Sequence, residues 1–258
     1  MNERIRRLRE ESLAAVPRLT PERARLLTEF YRSGDAKGQS IPVQRAMAYR
    51  HVLSHQPVWI GRGELIVGER GPEPKATPTY PEITTHSVED LDILDTRPKT
   101  SFNVDAAMKA VYRDEIIPFW RGQTQRERIF AQMEPEWLAA YEAGLFTEFM
   151  EQRAPGHTVL DGKIYRKGLR DFQADIDAAI ARLDFLADPE AFAKREELRA
   201  MRIAADAVIR FAERHAERAE ELAAAEANPA RAQELRDIAA VCRRVPAHAP
   251  RTFREALQ

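Results

Sequence analysis

Apolar residues recur at helical spacing along most of this 258-residue chain. The clearest stripe repeats every three or four residues, which is the period of an amphipathic helix, and consists of Leu169, Phe172, Ile176, Ile180 and Leu183. Similar stripes and helix-start signals predict further helices over residues 2–15, from Thr20, from 41 to before Pro57, over 104–120, from Asp188 to about 222 and over 229–244. The pattern therefore predicts a mainly α-helical segment.

Several predicted helices carry recognisable capping residues. Thr20-Pro21 and Asn228-Pro229 each place a capping side chain before a proline that suits the first helical turn. Ser87 and Asp90 have the spacing of a capping box, which predicts another short helix after them.

One stretch departs from the helical period. Val58-Trp59-Ile60 and Leu65-Ile66-Val67 favour β structure, and the four residues between them include two glycines. This spacing predicts one short β-hairpin. The segment Gly68–Pro81 that follows contains four prolines and two glycines, so we expect an ordered loop without a helix or a central strand.

Composition narrows the class of protein. The chain is 44% hydrophobic, and its 40 basic and 41 acidic side chains nearly cancel, so neither a nucleic-acid surface nor a membrane span is expected. A single cysteine excludes an internal disulfide, and no apolar leader precedes the first helix, so we expect a cytoplasmic protein. Neither a zinc motif of the His-Glu-x-x-His kind nor a Gly-rich phosphate loop occurs, and no metal site is expected.

A polar cluster between two predicted helices is the strongest candidate for chemistry. Glu151, Gln152, Arg153 and His157 fall within seven residues, beside a break at Ala154-Pro155-Gly156. An Arg fork, an amide and an imidazole on a turn fixed by apolar neighbours suit a small anionic or hydroxylated ligand. The alternative is a helix C-terminus whose Arg and His cap the last carbonyls.

Four segments resemble, in order, the N-terminal part of the glycyl radical enzymes, the pyruvate formate-lyase-like family. They are Gly63–Ile83 (GELIVGERGPEPKATPTYPEI), Asp114–Trp120 (DEIIPFW), Trp137–Val159 (WLAAYEAGLFTEFMEQRAPGHTV) and Val245–Gln258 (VPAHAPRTFREALQ). Within that family, the sequences of these segments most resemble the branch that contains the hydroxyproline, glycerol and choline lyases and the isethionate sulfite-lyases. The resemblance covers essentially the whole chain, so residues 1–258 are expected to be part of one such domain, with no separate second domain.

This resemblance implies a ten-stranded α/β barrel in the full enzyme, with helices packed around it. It also implies a glycyl radical installed by an S-adenosylmethionine-dependent iron-sulfur activating enzyme, a thiyl-forming cysteine in a Cys-x-Glu motif, and a homodimer at full length. Neither the Cys-x-Glu motif nor an Arg-Val-x-Gly loop occurs in these 258 residues. Arg243 and Arg244 follow Cys242, so we expect that cysteine to be a small buried apolar residue. No catalytic residue is therefore expected in this chain, and we predict that it is inactive alone.

The resemblance gives roles to three residues of the polar cluster. Phe149 is expected to exclude water, Arg153 to bind an anionic group, and His157 to hydrogen-bond a hydroxyl or carboxylate of a small-molecule substrate. Arg153 has an alternative as an ion-pair partner of Glu148 or Glu151, and His157 as a satisfied loop histidine.

The function implied is that of a fragment of a glycyl radical lyase or dehydratase, which cleaves a C-O, C-N, C-S or C-C bond in a small polar metabolite. Two alternatives stay open: a formate C-acetyltransferase-like enzyme of the same family, and a non-catalytic helical scaffold derived from it.

Overall fold

The computed structural model describes residues 2–146 and 160–258. The chain divides into two compact units. The first comprises Met1–Ala15, Glu29–Lys75 and Leu160–Gln258, and the second comprises Val16–Thr28 and Ala76–Val159. The expectation of a single domain segment over residues 1–258 stays a prediction.

The described residues are mainly helical. The α-helices are α1 (Glu3–Ala14), α2 (Glu22–Ser33), α3 (Ile41–His55), α4 (Val88–Thr96), α5 (Ala106–Val111), α6 (Ile117–Trp120), α7 (Gln125–Phe130), α8 (Pro135–Glu142), α9 (Leu169–Ala181), α10 (Ala191–Ala225), α11 (Pro229–Arg244) and α12 (Phe253–Leu257). A π-helix spans Tyr112–Ile116, a 3-10 helix spans Asp161–Tyr165, and two short strands are β1 (Arg18–Thr20) and β2 (Ala76–Pro78).

The first unit is organised by α10, a helix of 35 residues that packs against α3, α9 and α11. Where α10 meets α11, it presents Ala216, Ala219 and Ala223 to Leu235 and Ile238. Small side chains let two helix backbones approach closely, so the larger apolar residues of α11 fill the groove between them. This pairing forms one apolar core of the unit.

A buried carboxylate joins α10 to the start of α3. Glu196 is only 4% exposed and accepts hydrogen bonds from Ser40 Oγ at 2.8 Å, Arg199 Nη1 at 2.9 Å and Arg195 Nε at 3.1 Å. The bonds from Ser40 and then from Arg199 hold the pKa of Glu196 below its ordinary value. A buried charge with this many donors is stable as the ionised form.

The second unit contains a two-stranded parallel sheet in which Arg18 pairs with Ala76 and Thr20 with Pro78. Its core includes Tyr112 and Ile116 of the π-helix, both fully buried. The indole of Trp120 donates to Thr28 Oγ1 at 2.8 Å, and that hydroxyl donates to the Ala24 carbonyl at 2.7 Å. This chain of bonds satisfies every polar atom of a buried indole and hydroxyl pair.

The predicted hairpin over residues 58–67 is wrong. Its backbone groups bond to side chains instead of to a second strand: Arg231 donates to the carbonyls of Glu64 at 2.8 Å and Gly61 at 3.3 Å. The amide of Gln258 accepts from Val67 N at 3.0 Å and donates to Val67 O at 2.8 Å. The β-favouring residues serve as packing, since Ile60 and Val67 contact the α10–α11 core.

Most predicted helices are confirmed, including the Ser87 and Asp90 capping box before α4 and the Asn228 cap of α11. The single helix predicted over 104–120 is instead an α-helix, a π-helix and a further helical turn. Pro118 lies near the end of this stretch, where it has no backbone N–H to contribute, and the wider π turn precedes it.

Candidate functional site

The three predicted substrate-binding residues, Phe149, Arg153 and His157, lie outside the described residues. Their proposed contacts therefore stay predictions. The structure describes the chain before residue 147 and after residue 159, and it shows a cavity in each unit.

An aromatic cluster in the second unit precedes the undescribed residues 147–159 in sequence. Trp137 and Tyr141 of α8 lie with ring centroids 5.6 Å and 5.8 Å from that of Phe146. Tyr141 also meets Phe130 edge to face at 4.9 Å, and the Arg126 guanidinium lies 4.2 Å from the Phe130 ring centroid. Edge-to-face aromatic contacts hold side chains in defined orientations. Phe146 is thus anchored, three residues before Phe149.

In the first unit, Gly168 fixes where the chain enters α9. A Cβ atom at Gly168 would lie 2.2 Å from the His248 Cα, so only glycine permits this approach of two backbones. The first N–H groups of α9, those of Leu169 and Arg170, donate to the carbonyls of Pro246 at 2.8 Å and Ala247 at 3.0 Å. The segment after α11 is therefore held at the head of α9.

The first unit contains a cleft of about 390 Å³ beside this junction. One wall is α10, through Val208, Phe211 and His215, and another is the end of α11, through Cys242. Most of the lining is apolar. A mainly apolar cleft of this size with a few polar groups has the properties of a binding site for a ligand or a chain segment.

His215 is a buried polar group of the cleft with one ring nitrogen unpaired among the described residues. Its side chain is 4% exposed, and Nδ1 lies 2.9 Å from the Phe211 carbonyl oxygen. A carbonyl only accepts, so Nδ1 carries the proton and Nε2 is left as an acceptor, without a partner among the described residues. Burial lowers the pKa of His215, which keeps the ring neutral.

Cys242 also lines the cleft but does not have the properties of a reactive thiol. It is 3% exposed, within the α10–α11 core, and burial raises its pKa to about 11. The expectation that this cysteine is a small buried apolar residue is confirmed. The sequence analysis did not predict this cleft. The available signal was the position of His215 among Phe211, Ala216 and Ala219 on an apolar helix face.

The second unit contains a concavity of about 370 Å³ at the N-terminus of α4, lined by Thr85, His86, Arg113, Arg121 and Glu127, among others. In the same unit, the Arg23 guanidinium forms a fork with Glu82 at 3.1 Å and 2.5 Å and lies 4.0 Å from the Tyr80 ring centroid. Tyr80 and Glu82 therefore fix the loop after β2. These contacts give both residues a structural role.

Over residues 2–146 and 160–258, His, Cys, Asp and Glu side chains form no group of three or more that is placed to hold a metal ion. Among the helices that the structure describes, none combines the length and apolarity needed to cross a bilayer.

A family model described as pyruvate formate lyase-like matches residues 1–258. The chain belongs to the pyruvate formate lyase-like family. The resemblance derived from the four sequence segments is thereby confirmed. Members of this family with solved structures are glycyl radical enzymes, and the chain is a partial segment of their barrel fold.

The chain is 46% identical over 256 residues to trans-4-hydroxy-L-proline dehydratase of Clostridioides difficile, covering 99% of the chain and 32% of the relative. A crystal structure of hydroxyproline dehydratase from that organism with trans-4-hydroxy-L-proline bound superimposes with a TM-score of 0.93, over the same shares of the two chains.

More distant members of the family match over similar lengths. Isethionate sulfite-lyase of Nitratidesulfovibrio vulgaris is 32% identical over 255 residues, with 94% of the chain and 30% of the relative covered. A glycyl radical enzyme from Archaeoglobus fulgidus gives a TM-score of 0.86 at 32% identity, covering 98% of the chain and 32% of that chain. The chain thus spans about a third of the length of the relatives that it matches.

The cofactor implied for this family is a glycyl radical, whose partner is a thiyl-forming cysteine. The described residues do not fit that partner role: Cys242 is buried, its pKa is raised, and Arg244 stands where a Cys-x-Glu motif requires glutamate. No chemical step is assigned to this sulfur.

Proposed function

We propose that this chain is part of a glycyl radical dehydratase that removes water from a small hydroxylated metabolite, with trans-4-hydroxy-L-proline as the first candidate. The observation that carries the proposal is the match to trans-4-hydroxy-L-proline dehydratase, with 46% identity over 256 residues and a TM-score of 0.93 to the substrate-bound structure. The relatives at about 30% identity act on other substrates by their names, so the higher identity favours this one.

In this proposal the chain contributes part of the wall of the substrate-binding pocket, through Phe149, Arg153 and His157. Arg153 forms a charge-assisted bond to the carboxylate of the amino acid, because a guanidinium presents paired donors to a carboxylate. His157 hydrogen-bonds a hydroxyl or carboxylate oxygen, and Phe149 keeps water away from the reacting carbon atoms.

The radical chemistry belongs, in this proposal, to sequence outside these 258 residues. That sequence supplies the hydrogen-abstracting cysteine, the glutamate of its motif and the glycine that carries the radical. A radical S-adenosylmethionine activating enzyme is the required partner, and the full-length enzyme is a cytoplasmic homodimer.

The test is expression of the complete reading frame that contains these residues, activated without oxygen by a radical S-adenosylmethionine activating enzyme. We expect a glycyl radical signal by electron paramagnetic resonance and consumption of trans-4-hydroxy-L-proline. Glycerol, isethionate and pyruvate are the comparison substrates. A strong radical signal with no loss of trans-4-hydroxy-L-proline would refute the substrate, and turnover of pyruvate would favour a formate acetyltransferase-like enzyme. Failure to form a radical would favour a scaffold.

Two variants test the substrate wall. Replacing Arg153 with Lys removes the paired donors and should raise KM by about tenfold, since the lost charge-assisted bond contributes about 1.5 kcal/mol. The control is Arg236→Lys, at an exposed position on α11. Equal KM values for the two variants would show that Arg153 does not contact the substrate.

A further inference from the structure

The last turn of α3 carries two histidines on one face. His51 and His55 are four residues apart, the spacing at which helical side chains are neighbours and at which a His-Glu-x-x-His motif places its two metal ligands. Their ring centroids lie 4.4 Å apart, and the ring planes are tilted by 37°. His51 is half-buried and His55 is exposed. The pair therefore meets solvent on the His55 side.

Contacts with neighbouring groups orient both rings. The buried Phe30 of α2 lies with its ring centroid 5.6 Å from that of His51. Nδ1 of His55 lies 2.8 Å from the His51 carbonyl oxygen, and because a carbonyl only accepts, this nitrogen carries the proton. Nε2 of His55 is thereby left with its lone pair. A histidine that binds a metal ion typically donates its other ring N–H in this way.

His51 has the properties of a second ligand. Its Nε2 is buried and has no hydrogen-bond partner among residues 2–146 and 160–258. Burial, and then the charge of His55, lower the pKa of His51, which keeps the imidazole in the neutral form that binds metals. Glu29 and Asp35 act on this ring in the opposite sense, because their carboxylates attract positive charge. A small rotation of the exposed His55 ring would admit an ion to Nε2 of His51.

The separation of the rings agrees with two ligands of one ion. A metal–nitrogen bond of about 2.0 Å places an ion roughly 3.2 Å from each imidazole centroid. Rings in adjacent positions of a square-planar or octahedral ion, about 90° apart, then have centroids roughly 4.5 Å apart, whereas tetrahedral ligands have centroids roughly 5.2 Å apart. The observed 4.4 Å matches the first arrangement. Stacking of two neutral rings gives a similar separation, so metal binding itself has to be measured.

We propose that His51 and His55 bind a divalent transition-metal ion through one nitrogen of each ring, with water completing its coordination. Ni²⁺ is the first candidate among the ions that prefer imidazole, because the ring separation favours ligands at about 90°. This site has two protein ligands, fewer than the groups of three or more that the described residues lack. The inference does not depend on the proposed function.

A bound ion would cross-link the last turn of α3. This turn is also joined to α10, since Arg214 donates to the Leu53 carbonyl at 2.8 Å. Helix ends fray, and a link between residues four apart opposes fraying of the turn that contains them. Because the paired geometry exists only in the folded helix, metal binding should stabilise the folded protein by mass action.

The first experiment uses the 258-residue chain without an affinity tag. With one equivalent of Cu²⁺ at neutral pH, we expect an electron paramagnetic resonance spectrum with coupling to two imidazole nitrogens. His55→Gln should leave coupling to one nitrogen, and by calorimetry it should weaken Ni²⁺ binding by about tenfold or more. The control is His86→Gln, a half-buried histidine of the second unit, which should change neither measurement.

The second experiment measures thermal unfolding of the protein encoded by the complete reading frame, before radical activation. Ni²⁺ should raise its melting temperature relative to the same protein in a chelator. His51→Gln and His55→Gln should each remove most of that rise, and His86→Gln should keep it. His55 is exposed, so its variant decides the question if His51→Gln does not fold.

Any one of three results would overturn the inference: coupling to fewer than two nitrogens in the unaltered chain, equal Ni²⁺ affinities of the His55 and His86 variants, or a melting temperature that Ni²⁺ leaves unchanged. None of these measurements uses catalysis. A protein that shows the expected metal binding but leaves trans-4-hydroxy-L-proline intact would keep this inference and refute the proposed function.

Discussion

The thiol of Cys242 should be almost inert in the folded chain. Burial raises its pKa to about 11. At pH 8 such a thiol is ionised in about one molecule in a thousand, whereas an ordinary cysteine with a pKa of about 8.5 is ionised in about one in four. The thiolate is the species that reacts with alkylating reagents, so ionisation alone should slow labelling by roughly 200-fold. The low exposure of the side chain, 3%, slows it further.

The assay is labelling with iodoacetamide at pH 8, followed by intact mass, in buffer and in concentrated guanidinium chloride. The chain contains one cysteine, so each mass shift reports on this residue alone. The denatured chain supplies the reference rate. A native rate within about tenfold of the denatured rate would refute the reasoning, because the thiolate fraction alone predicts a larger gap. It would also reopen the question of whether this sulfur takes part in chemistry.

Three further predictions concern buried and half-buried polar groups. Thr28→Val removes the hydroxyl that accepts from the Trp120 indole N–H and should destabilise the fold by about 1–3 kcal/mol, whereas Thr28→Ser keeps that hydroxyl and should cost only about 1 kcal/mol for the lost methyl. A loss for Thr28→Val no larger than that for Thr28→Ser in urea unfolding would contradict this. Glu196 has a lowered pKa, so its stabilising effect is present above the ordinary glutamate pKa and is lost as pH falls through the pKa of the folded state. Glu196→Gln should therefore weaken the loss of unfolding free energy at acid pH, and an unchanged dependence of that free energy on pH would refute the role given to Glu196. Arg23→Lys should lower stability by about 1 kcal/mol, because one ammonium cannot reproduce the fork to Glu82, and a double-mutant cycle with Glu82→Gln that shows no coupling would exclude the pair as a source of stability.

Helices were predictable from the sequence because their signals are local. The stripe from Leu169 to Leu183 and the Asn228-Pro229 start correspond to α9 and α11 within a few residues. Capping side chains and apolar spacing act within one or two turns, so a single sequence contains the information. The short helices α7 and α8 lack long stripes and were not predicted.

The β structure was not predictable in the same way. The strands β1 and β2 have three residues each and pair across an intervening stretch of more than fifty residues. The run Leu65-Ile66-Val67 favours a strand by residue type, yet the partner of Val67 is the Gln258 amide at the other end of the chain. Propensity describes a half-buried backbone and does not specify what bonds to it.

The site was predictable in part. The family, and the unreactive character of Cys242, followed from sequence segments and from the residues after the cysteine. The cleft was missed, because its walls come from residues as far apart as Val67 and Gln258. His215 alone carries no motif, and its unpaired nitrogen becomes evident only once the neighbouring atoms are placed.

The length of α10 limits how this part of the molecule can vary. Its 35 residues extend for about 52 Å without a break, with Glu196 and Ala200 near one end and Ala216 and Ala223 near the other. Deleting a single residue at the middle would turn one half by about 100° relative to the other, so the contacts with α3 and α11 could not both persist. We therefore expect single-residue insertions or deletions to destabilise the unit when they fall within α10 and to be tolerated better in the turns at its two ends.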